Sequence, residues 1–123
     1  MKFKNMFSPI QIGPMTVKNR FVVPPMGNNF ANSDGTWSDE SVAYYGERAK
    51  GQFGLITIEA TVVHKGAKGG PKKPCLYDDN SIESLKKITD ACHEEGAKVS
   101  IQLQNAGPEG NAKNAGAPIQ AAT

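Results

Sequence analysis

Three short runs rich in apolar and β-branched residues, spaced at nearly regular intervals, constrain this chain more than any other feature. They are Phe21-Val22-Val23, Gly54-Leu55-Ile56-Thr57-Ile58 and Val99-Ser100-Ile101-Gln102-Leu103. The first is an unbroken apolar triplet stopped by Pro24-Pro25, as in a strand buried on both faces. Between the runs lie two segments with helical spacing. The order β-α-β-α-β predicts parallel strands joined by right-handed helical crossovers. Two α/β architectures use that unit: an open doubly wound sheet and a closed eight-stranded barrel. The pattern alone leaves both open.

Local signals mark where the elements begin and end. Ser38-Asp39-Glu40 supplies a capping hydroxyl and two acids for a first helix, with Val42, Tyr45 and Ala49 on its apolar stripe and Gly51 at its end. Asn80, with Glu83 as capping-box partner, opens a second helix whose stripe is Ile82, Leu85, Ile88 and Cys92, and Gly96 ends it. Ahead of the first strand, two short runs around Gly13-Pro14 predict a β-hairpin. The segments are therefore a hairpin over 1–18, a βαβαβ unit over 19–104, and a loop or tail over 105–123, where Gly, Ala, Asn and Pro show no periodicity.

Composition removes several function classes. The 123 residues carry a net charge of +2, too little and too scattered for nucleic acid. No apolar stretch nears the ~20 residues of a membrane helix, and no apolar run follows Lys2 and Lys4 to make a signal peptide. The expected location is the cytoplasm. Cys75 and Cys92 lie 17 apart, which suits neither a zinc site nor a disulfide framework. The 13 Gly and 8 Pro suit a fold with many tight strand–helix turns.

Candidate chemistry gathers where each strand turns polar or small at its C-terminal end: Pro24-Pro25-Met26-Gly27, Glu59-Ala60, and Gln102-Leu103-Gln104-Asn105. In both architectures ligands bind at that end. Neither G-x-G-x-x-G nor G-x-x-x-x-G-K-[ST] is present, so ordinary dinucleotide and P-loop binding have no motif support. The glycine-rich stretch 64–74, with Lys65, Lys68, Lys72 and Lys73, reads as a solvated, mobile crossover loop that trypsin cuts first; a phosphate site is the alternative. His64 reads as a surface residue and His93 as structural. Glu59 is a candidate for an ion pair or hydrogen bond beneath a ligand, or for positioning a helix. Gln102, inside an apolar strand, needs partners for both its carbonyl and its amide. A heterocycle with adjacent donor and acceptor edges satisfies both; other polar core groups are the alternative.

Several of these segments together resemble a known family. Phe7-Ser8-Pro9-Ile10, Val17 through Met26, Asp34-Gly35-Thr36, Tyr44-Tyr45, Arg48-Ala49-Lys50-Gly51, Gly54-Leu55-Ile56, Glu59-Ala60, Leu76-Tyr77-Asp78-Asp79, Gly96-Ala97-Lys98 and Gln102-Leu103 are similar to the N-terminal third of the old yellow enzyme family. The branch resembled is that of NADH:flavin oxidoreductases and 2,4-dienoyl-CoA reductases. The resemblance implies a TIM barrel, with 1–18 as its floor hairpin and 19–104 as barrel strands 1 to 3. It further implies FMN across the C-terminal mouth, lined by Pro24, Pro25, Met26 and Gly27 after strand 1 and by Ala60 after strand 2. Gln102 would hydrogen-bond the pyrimidine edge of the ring. The implied reaction carries hydride from NADH or NADPH through the flavin to an activated C=C of a small-molecule alkene.

The chain also departs from the pattern. Where the family often reads Gln-Leu-x-His-Ala-Gly-Arg, this sequence has Gln102-Leu103-Gln104-Asn105-Ala106-Gly107-Pro108, so an imidazole and a guanidinium are missing. Several relatives carry Cys or Thr where Gly27 stands. The family's proton donor, its basic flavin neighbour and its phosphate loops belong to later parts of a barrel of ~250 residues. The chain is accordingly expected to be the N-terminal part of such an enzyme, inactive by itself. Unpaired strand edges, and apolar residues among Phe21, Val22, Val23, Leu55, Ile56, Ile58, Val99 and Ile101 lacking opposing strands, predict a homo-oligomer. A non-catalytic binding or assembly module, and an unrelated α/β barrel enzyme taking a phosphorylated metabolite, are the rival readings.

Overall fold

The computed structural model describes residues 2–119. Ile10–Ile12 (β1) and Met15–Val17 (β2) form the hairpin, antiparallel, with Ile10 opposite Val17 and Ile12 opposite Met15. Its two-residue loop places Gly13 at φ +54°, which the first position of such a turn requires, and Pro14 follows. The second sheet has three parallel strands in the order Val22–Val23 (β3), Leu55–Val62 (β4), Lys98–Gln104 (β5). Helices Asp39–Lys50 (α1) and Ile82–Glu94 (α2) make the two crossovers.

The helix signals behave mostly as the sequence reading expects. Ser38 Oγ accepts from Ser41 N at 3.2 Å, Asp39 and Glu40 fill the first turn, and Gly51 caps the end. The start of α2 is different. Asp78, not Asn80, supplies the capping carboxylate, accepting from Asn80 N at 3.0 Å ahead of a 3-10 turn over Asp79–Ser81. Within α2 itself, at 100° per residue, Ile82 stands off the stripe of Ile88 and Cys92, so it stays 54% exposed while those two are fully buried.

Val23, Trp37, Tyr45, Ala49, Ile56, Ile58, Ile88, Cys92 and Ala97 form one core, with Leu85, Val99 and Ile101 packed against it. Burying each large aliphatic side chain contributes about 1.5–3 kcal/mol, so this layer holds the unit together. Both helices lie on the same face of the sheet. Strands added successively in one direction through right-handed crossovers put every helix on one side, whereas a doubly wound sheet reverses direction to cover both. The barrel arrangement is therefore the one this chain adopts, as an open three-stranded part of it.

Two expectations about the strands need correction. The first strand is not buried on both faces: its ladder is two residues long, and Val22 is 50% exposed. The residues expected to lack cover are largely covered. Val23, Ile56, Ile58, Val99 and Ile101 point into the helix layer, because the two-residue alternation turns only Val22 and Leu55 of the apolar set to the open face.

The hairpin closes the N-terminal end of the sheet. Val17 is buried there, Asn19 Nδ2 donates to Gln52 O at 2.7 Å, and Lys18 Nζ donates to Glu95 O at 2.6 Å at the end of α2. Gly54 is required by this closure, since a Cβ would stand 2.7 Å from both Val17 Cγ1 and Asn19 Oδ1.

Candidate functional site

The opposite, C-terminal end of the sheet is an open rim. The chain leaves β3 through Pro24, Pro25, Met26 and Gly27, with Met26 55% exposed. In β4 a register shift between Ile58 and Thr61, which pair with Ile101 and Leu103, sets Glu59 and Ala60 opposite the single residue Gln102. Such a bulge turns a side chain aside where a regular ladder would not. The structure thus brings Gly27, Glu59, Ala60 and Gln102 onto one rim, with Pro24, Pro25 and Met26 on the segment leading to it.

Glu59 is the rim's buried charge. It has no exposed surface; Oε2 accepts from Asn28 N at 3.2 Å, and Oε1 has no partner among the described residues. Burial raises its carboxyl above the ordinary value, opposed by the Asn28 N–H and by the nearby Lys73 charge. The Glu59 N–H donates to Tyr45 Oη at 3.0 Å, fixing the bulge to α1, and burial pushes the Tyr45 phenol up to about 12. A chain of edge-on rings, Phe30–Tyr44 at 5.7 Å and Tyr44–Tyr45 at 5.1 Å, holds the segment after Gly27 against the same helix. The Glu59 carboxylate therefore ties the first strand's exit to the second's, while its backbone N–H, not its side chain, meets α1.

Gln102 is placed differently from expectation. Its side chain is exposed on the uncovered face and has no hydrogen bond to the described residues, so other polar core groups do not satisfy it. Beside it on that face, Thr57 and Ser100 share a hydroxyl bond of 2.8 Å. Asn105, where the family pattern often has an imidazole, accepts from the Gly107 N–H with its Oδ1 at 2.9 Å within its own turn.

The lysine-rich loop is not the solvated stretch that its composition predicts. Gly66, Ala67, Lys68 and Pro74 are buried, and Lys68 Nζ donates to Ser33 O at 3.1 Å. His64 Nδ1 accepts from Gly66 N at 3.1 Å and starts a 3-10 turn over Lys65–Ala67. The segment after β5 packs on this turn: Ala106 N donates to Ala67 O, Asn111 N donates to Lys68 O, and Ala112–Ala115 (α3) lies against it. The loop and the polar tail thus cover each other's backbone, a long-range pairing invisible to periodicity; residues 120–123 lie outside the described residues. With Lys68 committed to Ser33, the phosphate-loop reading loses one of its four cations.

Lys73 is the functional candidate that sequence reasoning did not separate from its neighbours. Its Nζ lies 3.1 Å from where a Cβ on Gly27 would stand, and Glu59 Oε2 lies 3.7 Å from that same point. Only the parallel bridge of Cys75 to Val62, which returns the loop to the end of β4, puts it there. A separate cleft of about 740 Å³ opens on the helix side, lined by Trp37, Lys72, Ser84 and Lys87 among others. None of the six residues expected to line a cofactor contributes to it, so the rim and not that cleft carries the argument.

At the rim Met26 offers exposed apolar surface and Gln102 presents an acceptor and a donor side by side, while the Lys73 ammonium takes up the space beside Gly27. Residues 5–121 match the NADH:flavin oxidoreductase / NADH oxidase family. The structure is similar to 2-naphthoyl-CoA reductase in complex with 2-naphthoyl-CoA, at 33% identity and a TM-score of 0.87, covering 93% of this chain and 17% of that one. It is also similar to old yellow enzyme from a Pichia species (34%, TM-score 0.86, 93% and 30% covered) and from Trypanosoma cruzi (34%, 0.84, 93% and 30%). The chain spans less than a third of the length of these proteins.

Proposed function

Since this chain belongs to the NADH:flavin oxidoreductase / NADH oxidase family, we propose that its rim binds FMN and forms part of an FMN-dependent NAD(P)H oxidoreductase of the ene-reductase type. One observation carries the reading: three separate strand ends, remote in sequence, converge on one rim where the Gln102 side chain has no hydrogen bond to the described residues. Pro24, Pro25, Met26 and Gly27 would support the ring from the first strand and Ala60 from the second. Gln102 would meet a ring edge with its amide and carbonyl together. When bound, FMN supplies the capacity to take hydride from NADH or NADPH and pass it to an activated C=C.

The residues present do the positioning. The Asn28 N–H and the Tyr45 hydroxyl fix the Glu59 bulge, and the bulge sets Ala60 across from Gln102. Three parallel strands do not close a barrel around a flavin, so the 123-residue chain by itself is expected to lack steady NADH oxidation. Its β5 edge, seven residues long and paired on one side only among the described residues, favours association with a second copy through strand pairing. A cytoplasmic location fits the reading, and no helix among the described residues is long and apolar enough to cross a membrane.

The deciding experiment is a titration of the purified chain with FMN, followed by flavin absorbance and fluorescence, with Gln102→Leu alongside. Saturable binding weakened in the variant supports the proposal. Binding unchanged by Gln102→Leu removes Gln102 from the site, and a wild-type chain that takes no FMN leaves the rim to the assembly-module reading.

A further inference from the structure

We infer that Lys73 sets the electron affinity of a flavin seated on this rim, its ammonium occupying the space beside Gly27 that a side chain would otherwise take. This rests on the flavin reading above and adds to it a residue outside the three strand ends.

The placement of Lys73 is built, not incidental. The residues that follow it are clamped on two sides: Val62 N donates to Pro74 O at 2.8 Å, Leu76 N to Val62 O at 2.8 Å, and Cys75 N to Gly35 O at 2.9 Å. Lys73 therefore leaves a fixed point one residue away and reaches back over the exit of β3. Its fellow lysines go elsewhere. Lys68 is buried on Ser33 O, Lys72 lines the outer cleft, and Lys65 is exposed. The Lys73 ammonium makes no hydrogen bond or ion pair with the described residues, so its donors remain available at the rim.

Its partner across the rim is Glu59. That carboxylate is close enough to feel the ammonium, its Oε2 accepts from the Asn28 N–H, and no ion pair joins the two charges. Gly27 completes the arrangement: a Cβ there would stand 3.1 Å from Nζ, closer than an ordinary contact, so a larger residue would push the ammonium away.

The chemistry of a cation at this point follows from charge balance. Taking up two electrons and one proton from a reductant leaves the ring one unit more negative than before. A fixed positive charge nearby binds that reduced form more tightly than the oxidised form, and the ratio of the two affinities is a shift in reduction potential. At an effective dielectric near ~20, a unit charge a few ångströms away is worth tenfold or more in such a ratio.

The test is to titrate the chain anaerobically with oxidised FMN and with dithionite-reduced FMN and take the ratio of the two Kd values. The wild-type chain should prefer the reduced form. Lys73→Met should lose about tenfold of that preference, equivalent to ~30 mV for a two-electron couple. Lys73→Arg should retain it, Gly27→Ala should lose part of it, and Lys72→Met should leave it unchanged. Binding of both forms with the same ratio in wild type and Lys73→Met overturns the inference while the flavin reading stands. Failure of the wild-type chain to bind either form overturns the flavin reading and the inference with it.

Discussion

The helix-covered and open faces of the parallel sheet are made by alternate residues of the same strands, yet they serve different ends. On the covered face Ile56 and Ile58 have no exposed surface and pack with Tyr45, Ile88 and Cys92. On the open face Val22 is half exposed and Leu55 partly so, while Thr57, Ser100 and Gln102 present polar groups. Stability resides in one face, and the proposed flavin site lies at the end of the other. The difference teaches that a strand's average hydropathy conceals two separate functions, which the two-residue period keeps apart.

Substitutions on the two faces should break that comparison if it is wrong. The largest effect is expected at Ile56. Truncation to Ala should cost about 2–5 kcal/mol in chemical denaturation, against less than ~0.5 kcal/mol for Val22→Thr on the open face. Equal losses at the two sites would mean that the open face is covered in solution, as strand pairing with a second copy would produce. Sedimentation velocity at several concentrations would then show the association directly.

Next in size is the closed end of the sheet. Gly54→Ala should cost about 1–3 kcal/mol, because the added methyl meets Val17 and Asn19 at 2.7 Å and one of them must move. Thermal unfolding checks this. A neutral result would show that the hairpin is not seated on the sheet as described. At the rim the sign reverses, with stability spared and affinity lost. Gln102→Leu should leave the denaturation midpoint nearly unchanged yet weaken FMN binding by about 1–3 kcal/mol, the cost of an unsatisfied partner.

The smallest expected effect depends on pH. Burial raises the Glu59 carboxyl above its ordinary value of 4.5, so the folded state holds that proton more tightly than the unfolded chain does. The stability this contributes is full below the unfolded value and is lost as pH rises through the raised folded value. Glu59→Gln, which keeps the acceptor for the Asn28 N–H, should match wild type in acid and become the more stable of the two toward neutral pH. Denaturation midpoints of both proteins across that range test it; curves that stay parallel would mean that Glu59 is not buried as a charge.

Much of the framework was legible in the sequence because it rests on short-range physics. Ser38 caps α1 and Gly51 ends it, Gly13-Pro14 turns the hairpin, and three apolar runs become three parallel strands. The second helix start was misread, since Asp78 and Asn80 are equally good capping residues and only the 3-10 turn selects between them. Of the proposed site, the strand ends were legible from their position after apolar runs, whereas Gln102, read as a polar residue inside a buried strand, is exposed. Lys73 was not legible, because among four lysines in one loop composition carries no information about direction.

By itself the sequence determined the order of elements, the spacing of the strands and which residues stand at their C-terminal ends, because capping, turn formation and two-residue alternation act over a few neighbours. The tertiary structure alone decided three further matters. Both helices lie on one face, making this part of a barrel; a bulge sets Glu59 and Ala60 against Gln102; and the Val62–Cys75 bridge brings Lys73 over Gly27. Each joins residues far apart in the chain, and the strand ladders and packing that join them exist only once the whole unit has folded.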